Sequence, residues 1–147
     1  MELHPYLSFN GNAKEAVELY AKALGGVVTD IHLYSENLEM CKSLPDGWAD
    51  KVMHATMSAV GITIMASDVL VGYSGHCGVD ELSYSGSPVS LSVNCHSVEE
   101  LQATFDILAA GGQITMAVQD TFWGAKFGML VDRFGIKWMF NYDYPQK

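Results

Sequence analysis

One pattern of helix punctuation occurs twice in the chain, and that repeat limits the fold more than any other feature. Asn12 followed three residues later by Glu15 has the form of a helix N-cap with a returning acid, and Ser97 followed by Glu100 has it again 85 residues on. The same shift lays Ala16 on Leu101, Tyr20 on Phe105 and Gly26 on Gly111. Ala13, Ala16, Val17, Tyr20 and Leu24 in the first copy, and Val98, Leu101, Phe105 and Leu108 in the second, fall on one face of a helical period. Each helix therefore needs an apolar surface to cover it. A short apolar strand signal precedes each, at 4–9 ending on Asn10-Gly11 and at 89–93, and three more follow, at 27–34, 52–60 and 62–67 and at 113–119, 126–131 and 136–141. Gly61 and Gly135 separate the last two strands of their halves, where a tight hairpin turn calls for positive φ. Each half reads βαβββ. The expected fold is α+β: one domain of two βαβββ modules, 1–68 and 88–144, joined by a loop at 69–87 and forming curved mixed sheets around a cleft.

Composition narrows the function. The 147 residues are 49% hydrophobic and 17% charged, enough apolar surface for a packed core and too little charge for a disordered chain. A net charge of −9, with eight scattered Lys and Arg, opposes a phosphate backbone, so no nucleic-acid partner is expected. Cys41, Cys77 and Cys95 lack CxxC spacing, which argues against a disulfide framework or a thiolate zinc site. No charged-then-apolar leader precedes Leu3, and the apolar runs fall short of the ~18 residues of a membrane span. A cytoplasmic protein without a membrane partner is expected. The stretch Gly72-Tyr73-Ser74-Gly75-His76-Cys77-Gly78 lacks the spacing of a phosphate loop, and the adjacent His76 and Cys77 are read as loop residues rather than a nucleophile pair.

The residues of the repeat also carry a resemblance. Pro5-Tyr6-Leu7-Ser8-Phe9-Asn10-Gly11-Asn12, Met53-His54-Ala55, Met65-Ala66-Ser67-Asp68 and Gly111-Gly112 resemble the PhnB-like branch of the vicinal-oxygen-chelate superfamily. The most specific stretch runs from Gln119-Asp120-Thr121-Phe122-Trp123-Gly124 through Phe134-Gly135-Ile136-Lys137-Trp138-Met139. The resemblance spans nearly the whole chain. It implies the glyoxalase/bleomycin-resistance/dioxygenase fold and a homodimer. Members of the branch have been labelled demethylubiquinone methyltransferases, but the sequence has no Gly-rich strand-to-helix nucleotide site.

Catalytic members of the superfamily hold a divalent metal through His, Gln or Glu on equivalent strands. The resemblance places those positions at Pro5, about Pro88, and Met139, none of which offers an oxygen or nitrogen side-chain donor. An intact metal site is therefore not expected, and a divalent metal would require an altered set such as His4 or His54 with Asp68. The candidate ligand-binding residues are Tyr6 as a polar handle, His54, Asp68, and Trp123 and Phe127 as apolar walls. His54 and Asp68 are also the candidates for acid–base catalysis. The leading expectation is a homodimer that binds a small, partly apolar organic ligand in a cleft, with no reaction assigned. A metal-dependent lyase, isomerase or dioxygenase with altered ligands, and a non-catalytic ligand-sequestering resistance protein, are the alternatives.

Overall fold

The duplicated grammar of the sequence becomes two separate sheets of the same strand order in a computed structural model, which describes residues 1–72, 78–79, 82 and 86–146. The N-terminal unit, Met1–Leu82, runs β1 (Tyr6–Phe9), α1 (Ala13–Ala23), β2 (Val27–Leu33), a one-turn helix α2 (Leu38–Cys41), β3 (Val52–Ala59), β4 (Ile62–Asp68) and the short β5 (Leu70–Val71) and β6 (Gly78–Val79). The C-terminal unit, Ser83–Lys147, runs β7 (Leu91–Asn94), α3 (Val98–Ala109), β8 (Gln113–Asp120), β9 (Ala125–Val131) and β10 (Lys137–Asp143). The four-stranded sheets are ordered β1-β4-β3-β2 and β7-β10-β9-β8. In each, the first strand pairs in parallel with the last and the other pairs are antiparallel. The fold is the expected α+β arrangement, and neither sheet closes into a barrel. Among the described residues no helix is long and apolar enough to cross a membrane.

Each helix covers one face of its own sheet. Ala13, Ala16, Val17 and Tyr20 of α1 are buried together with Ala55, Met57, Ile64 and Ala66 of β3 and β4, and Leu101, Phe105 and Leu108 of α3 with Leu130, Trp138 and Phe140. Full burial of each leucine contributes about 1.5–3 kcal/mol. Phe105 meets Phe140 edge-to-face at 5.7 Å. The ring also explains the glycine inside β9, since a Cβ on Gly128 would stand 2.9 Å from Phe105 Cε2 and from Val118 Cγ2.

The structure refines three details of the repeat. The inward-facing equivalent of Phe9 is Val93, one residue short of the 85-residue shift, because β7 runs one residue further, to Asn94, before a connection of the same length leads to α3. The positive-φ glycine after α1 is Gly25, whose counterpart is Gly111, while Gly26 corresponds to Gly112. The last two are glycine for another reason: an added Cβ would lie 2.4 Å from Ser58 O at Gly26 and 2.3 Å from Val131 O at Gly112. The expected pairing of Gly26 with Gly111 is thus displaced by one residue, because α3 is longer than α1.

The third detail lies at the start of α1. Ser97 caps α3 as expected, accepting from Glu100 N at 3.0 Å, but the Asn12 side chain makes no capping bond. The acceptor there is Asp68, at the end of β4 and opposite Phe9 in the sheet, whose Oδ1 accepts from Gly11 N at 2.8 Å and Ala13 N at 2.9 Å. A carboxylate is a stronger acceptor than an amide oxygen and is favoured at the positive end of a helix, so it displaces the local cap.

Candidate functional site

The face of the N-terminal sheet away from α1 is polar, and strand register determines which groups meet there. Ala55, Met57, Ile64 and Ala66 point to the helix, so the alternate residues point outward. Tyr6 on β1 lies opposite Met65 on β4, Met65 opposite Thr56 on β3, and Thr56 opposite Asp30 on β2. His54 lies opposite His32 in the neighbouring position. This open face therefore carries Tyr6, His54, Thr56, Asp30 and His32 within two adjoining rows.

Two of the expected site residues meet directly. Tyr6 Oη lies 3.3 Å from His54 Nδ1, with ring centroids 5.7 Å apart, and His54 Nε2 lies 3.2 Å from Thr56 Oγ1. Tyr6 is 48% exposed, so its hydroxyl can meet a ligand while still touching His54. When Tyr6 donates to Nδ1, the Nε2 proton donates to Thr56 and Tyr6 presents lone pairs outward. In the other tautomer Thr56 donates to Nε2, Nδ1 donates to Tyr6, and the phenolic proton is presented instead. One imidazole tautomer change thus reverses the hydrogen-bonding polarity of the exposed hydroxyl.

Asp30, His32 and Glu36 form a second polar group that the sequence reading did not single out. His32 Nε2 is 3.0 Å from Asp30 Oδ1 and Nδ1 is 3.3 Å from Glu36 Oε1. The Glu36 hydrogen bond, then the charge of Asp30, raise the His32 pKa above its ordinary value. Glu36 is lowered, first because it accepts from the Leu33 amide and second because of His32. The alternation of Asp30, His32 and Thr56 along their strands was legible, but their partners depend on the β2–β3 register, which includes two irregularities.

Asp68 is on the other side of the sheet. Its carboxylate is 1% exposed and holds the Gly11 and Ala13 amides on Oδ1 and the Val52 amide, at 2.9 Å, on Oδ2. These are the bonds of a strand-end carboxylate that ties the β1–α1 turn and the start of β3 to β4. Asp68 is not brought to Tyr6 or His54.

Trp123 and Phe127 belong to the C-terminal unit. Phe122, Trp123 and Phe127 form an edge-to-face chain with centroids 5.0 and 6.0 Å apart, and Phe122 and Trp123 are 97% and 56% exposed. The turn bearing them is fixed by Thr121 Oγ1, which donates to Ala125 O and accepts from Ala125 N, and by Tyr144 N, which donates to Gly124 O. Tyr144 also donates its hydroxyl to Asp120, which lowers the Asp120 pKa and raises that of Tyr144; Lys126 adds to the lowering. Trp138, by contrast, is core, its Nε1 donating to Asp132 Oδ2 at 2.9 Å. His76 and Cys77, with the stretch 73–77, lie outside the described residues.

The residues at the superfamily's metal positions do not fit a divalent ion. Pro5 and Pro88 have no side-chain donor and Met139 offers only a thioether, while His4, whose Nε2 is 3.1 Å from Glu2, precedes β1. Among the described residues no three His, Cys, Asp or Glu side chains are grouped to hold a metal.

Comparisons with known proteins agree with this architecture. The family model of 3-demethylubiquinone-9 3-methyltransferase matches residues 1–140. Protein YjdN of Escherichia coli K12 is 38% identical over 152 aligned residues, covering 96% of this chain and 95% of its own. The solved PhnB protein from Bacillus cereus is 27% identical with a TM-score of 0.75, covering 97% of this chain and 99% of its own. A glyoxylase/bleomycin resistance protein/dioxygenase domain from Frankia sp. EAN1pec shares the fold, with a TM-score of 0.64 at 16% identity and 98% of both chains covered.

Proposed function

We propose, for a chain that belongs to the 3-demethylubiquinone-9 3-methyltransferase family in its PhnB-like branch, that it binds a small organic molecule on the open face of the N-terminal sheet, with one polar group of that molecule held by Tyr6. The observation that carries the reading is the half-exposed Tyr6, whose hydroxyl is backed by the His54–Thr56 pair. A hydroxyl whose polarity follows the tautomer of a neighbouring imidazole accommodates either a donor or an acceptor and allows a proton to pass between ligand and protein. Met65, between Tyr6 and Thr56 in the same row, offers an adaptable apolar surface to the rest of the ligand.

The family's name describes methyl transfer. In this chain β1 passes to α1 through Asn10-Gly11-Asn12 and pairs with β4, unlike the doubly wound sheet and Gly-rich turn that bind dinucleotides. Ligand binding is therefore proposed without a methyl donor and without a divalent metal. On the same reading the protein works as a homodimer in the cytoplasm.

A thermal-shift screen of small metabolites tests the proposal, with Tyr6→Phe beside the wild type. A ligand present at a hundred times its Kd stabilises by about 2.7 kcal/mol, which is roughly 5–10 °C for a chain of this size. Tyr6→Phe keeps the ring and loses one hydrogen bond of about 1 kcal/mol, so affinity falls by roughly fivefold. Ligands that stabilise both proteins equally would place binding elsewhere. Product analysis of each hit then separates turnover from sequestration.

A further inference from the structure

Three methionines stand in one row across the open face of the C-terminal sheet. Met129 on β9 lies opposite Met139 on β10 and opposite Met116 on β8, and Ser92 on β7 ends the row beside Met139. Their sequence neighbours Leu130, Trp138 and Phe140 are buried on the α3 side, and Gly128 receives the Phe105 ring there, so the methionines face away from the helix. Met129 and Met139 are half-buried and Met116 is 38% exposed.

The placement of Met116 depends on a local device. Strand β8 is irregular on both sides of it, between Ile114 and Met116 and between Met116 and Gln119. Each irregularity inserts one residue relative to β9. Ile114 pairs with the inward Leu130 and Met116 with the outward Met129, although a regular strand would put Ile114 and Met116 on the same face. Two bulges thus bring a third thioether into line with the other two.

We propose that Met116, Met129 and Met139 form a binding site for a soft monovalent cation, copper(I), held by three thioether sulfurs. Thioethers favour copper(I) over the harder divalent ions, and the row adds only the Ser92 hydroxyl as an oxygen donor. Neighbouring strands are about 4.8 Å apart and methionine has three rotatable bonds, so the outer sulfurs can lean over the central one. A thioether binds metal without losing a proton, unlike a thiol or imidazolium, and a single positive charge is favoured near a chain of net charge −9. The thiol of Cys95 is pushed up to about 11 by burial and then by the charge of Glu100, so a soft ion must displace a proton to bind there, which it need not do at a thioether.

Anaerobic titration of the whole protein with copper(I), and with silver(I) as a redox-inert substitute, tests the site through the methionine methyl NMR signals. The expected result is one ion per chain, with the methyls of Met116, Met129 and Met139 shifting while those of Met53, Met57 and Met65 do not. Zinc(II) leaves all of them in place. Met129→Leu conserves volume, so the protein stays folded, and loss of the central donor weakens binding by at least about tenfold. Replacing all three cysteines by serine leaves the methyl shifts intact. Absence of those shifts at about 10 µM ion, an unchanged affinity in Met129→Leu, or their loss in the cysteine-free chain overturns the proposal.

Discussion

Asp68→Asn tests how the N-terminal unit is held together. The Asp68 carboxylate is buried and accepts three amide protons from different segments: Gly11 in the β1–α1 turn, Ala13 at the start of α1 and Val52 at the start of β3. Hydrogen bonds to a charged partner contribute about 1.5–3 kcal/mol each. An asparagine can turn its oxygen to Gly11 and Ala13, but its NH₂ then faces the Val52 N–H, donor against donor. One charge-assisted bond is lost and two fall to neutral strength, for a total of about 3–5 kcal/mol. In a chain of this length each kcal/mol moves Tm by about 2–4 °C, so unfolding followed by circular dichroism should shift down by roughly 6–20 °C. The urea midpoint should fall with the m-value unchanged. A Tm within about 2 °C of wild type would refute the reasoning, because it would mean that the three amides find water or another acceptor at no cost.

Trp138→Phe removes the Nε1 bond to Asp132, a carboxylate that also holds the Phe134 and Ile136 amides, and should lower stability by about 1–3 kcal/mol in urea denaturation. Gly128→Ala forces a methyl against Phe105 and Val118 and should cost about 1–3 kcal/mol, whereas Gly128→Ala combined with Phe105→Leu should recover part of it. His32 has its pKa raised by Glu36 and Asp30, so its contribution is fully present below its unfolded pKa and disappears as pH rises through the folded value. The stability difference between wild type and His32→Asn should therefore be larger at pH 6 than at pH 9, and an NMR titration should place the His32 midpoint above 6.5.

The packed faces of the fold were legible because they obey short-range rules. The spacing of Ala13, Ala16, Val17 and Tyr20 gave the buried stripe of α1, and Gly61 and Gly135 marked turns that do adopt positive φ. The cap of α1 was not legible, because Asn12 is a good local acceptor and the group that displaces it is Asp68, 55 residues from Ala13. For the same reason Asp68 read as a ligand-facing carboxylate. A carboxylate that holds three amides and one that holds a ligand look alike in sequence, and burial distinguishes them.

The open faces were less legible, and the duplication itself explains why. On the helix-facing side both units need small and apolar residues, so the two copies remain alike there. The outward rows are released from that requirement and have diverged: with Val93 in the place of Phe9, the row Ser92, Met139, Met129 and Met116 across β7-β10-β9-β8 stands where the N-terminal sheet has Ser8, Ser67, His54 and His32 across β1-β4-β3-β2. One row carries hydroxyl and imidazole chemistry, the other carries thioethers, and only the serine of the first strand, Ser8 or Ser92, is shared. Reading either row requires the register of three strand pairs, and in β2 and β8 that register is shifted by bulges. Sequence alternation alone therefore identifies His54 and Thr56 as neighbours on one face, but it cannot join them to Tyr6, and it would place Met116 on the same face as Ile114.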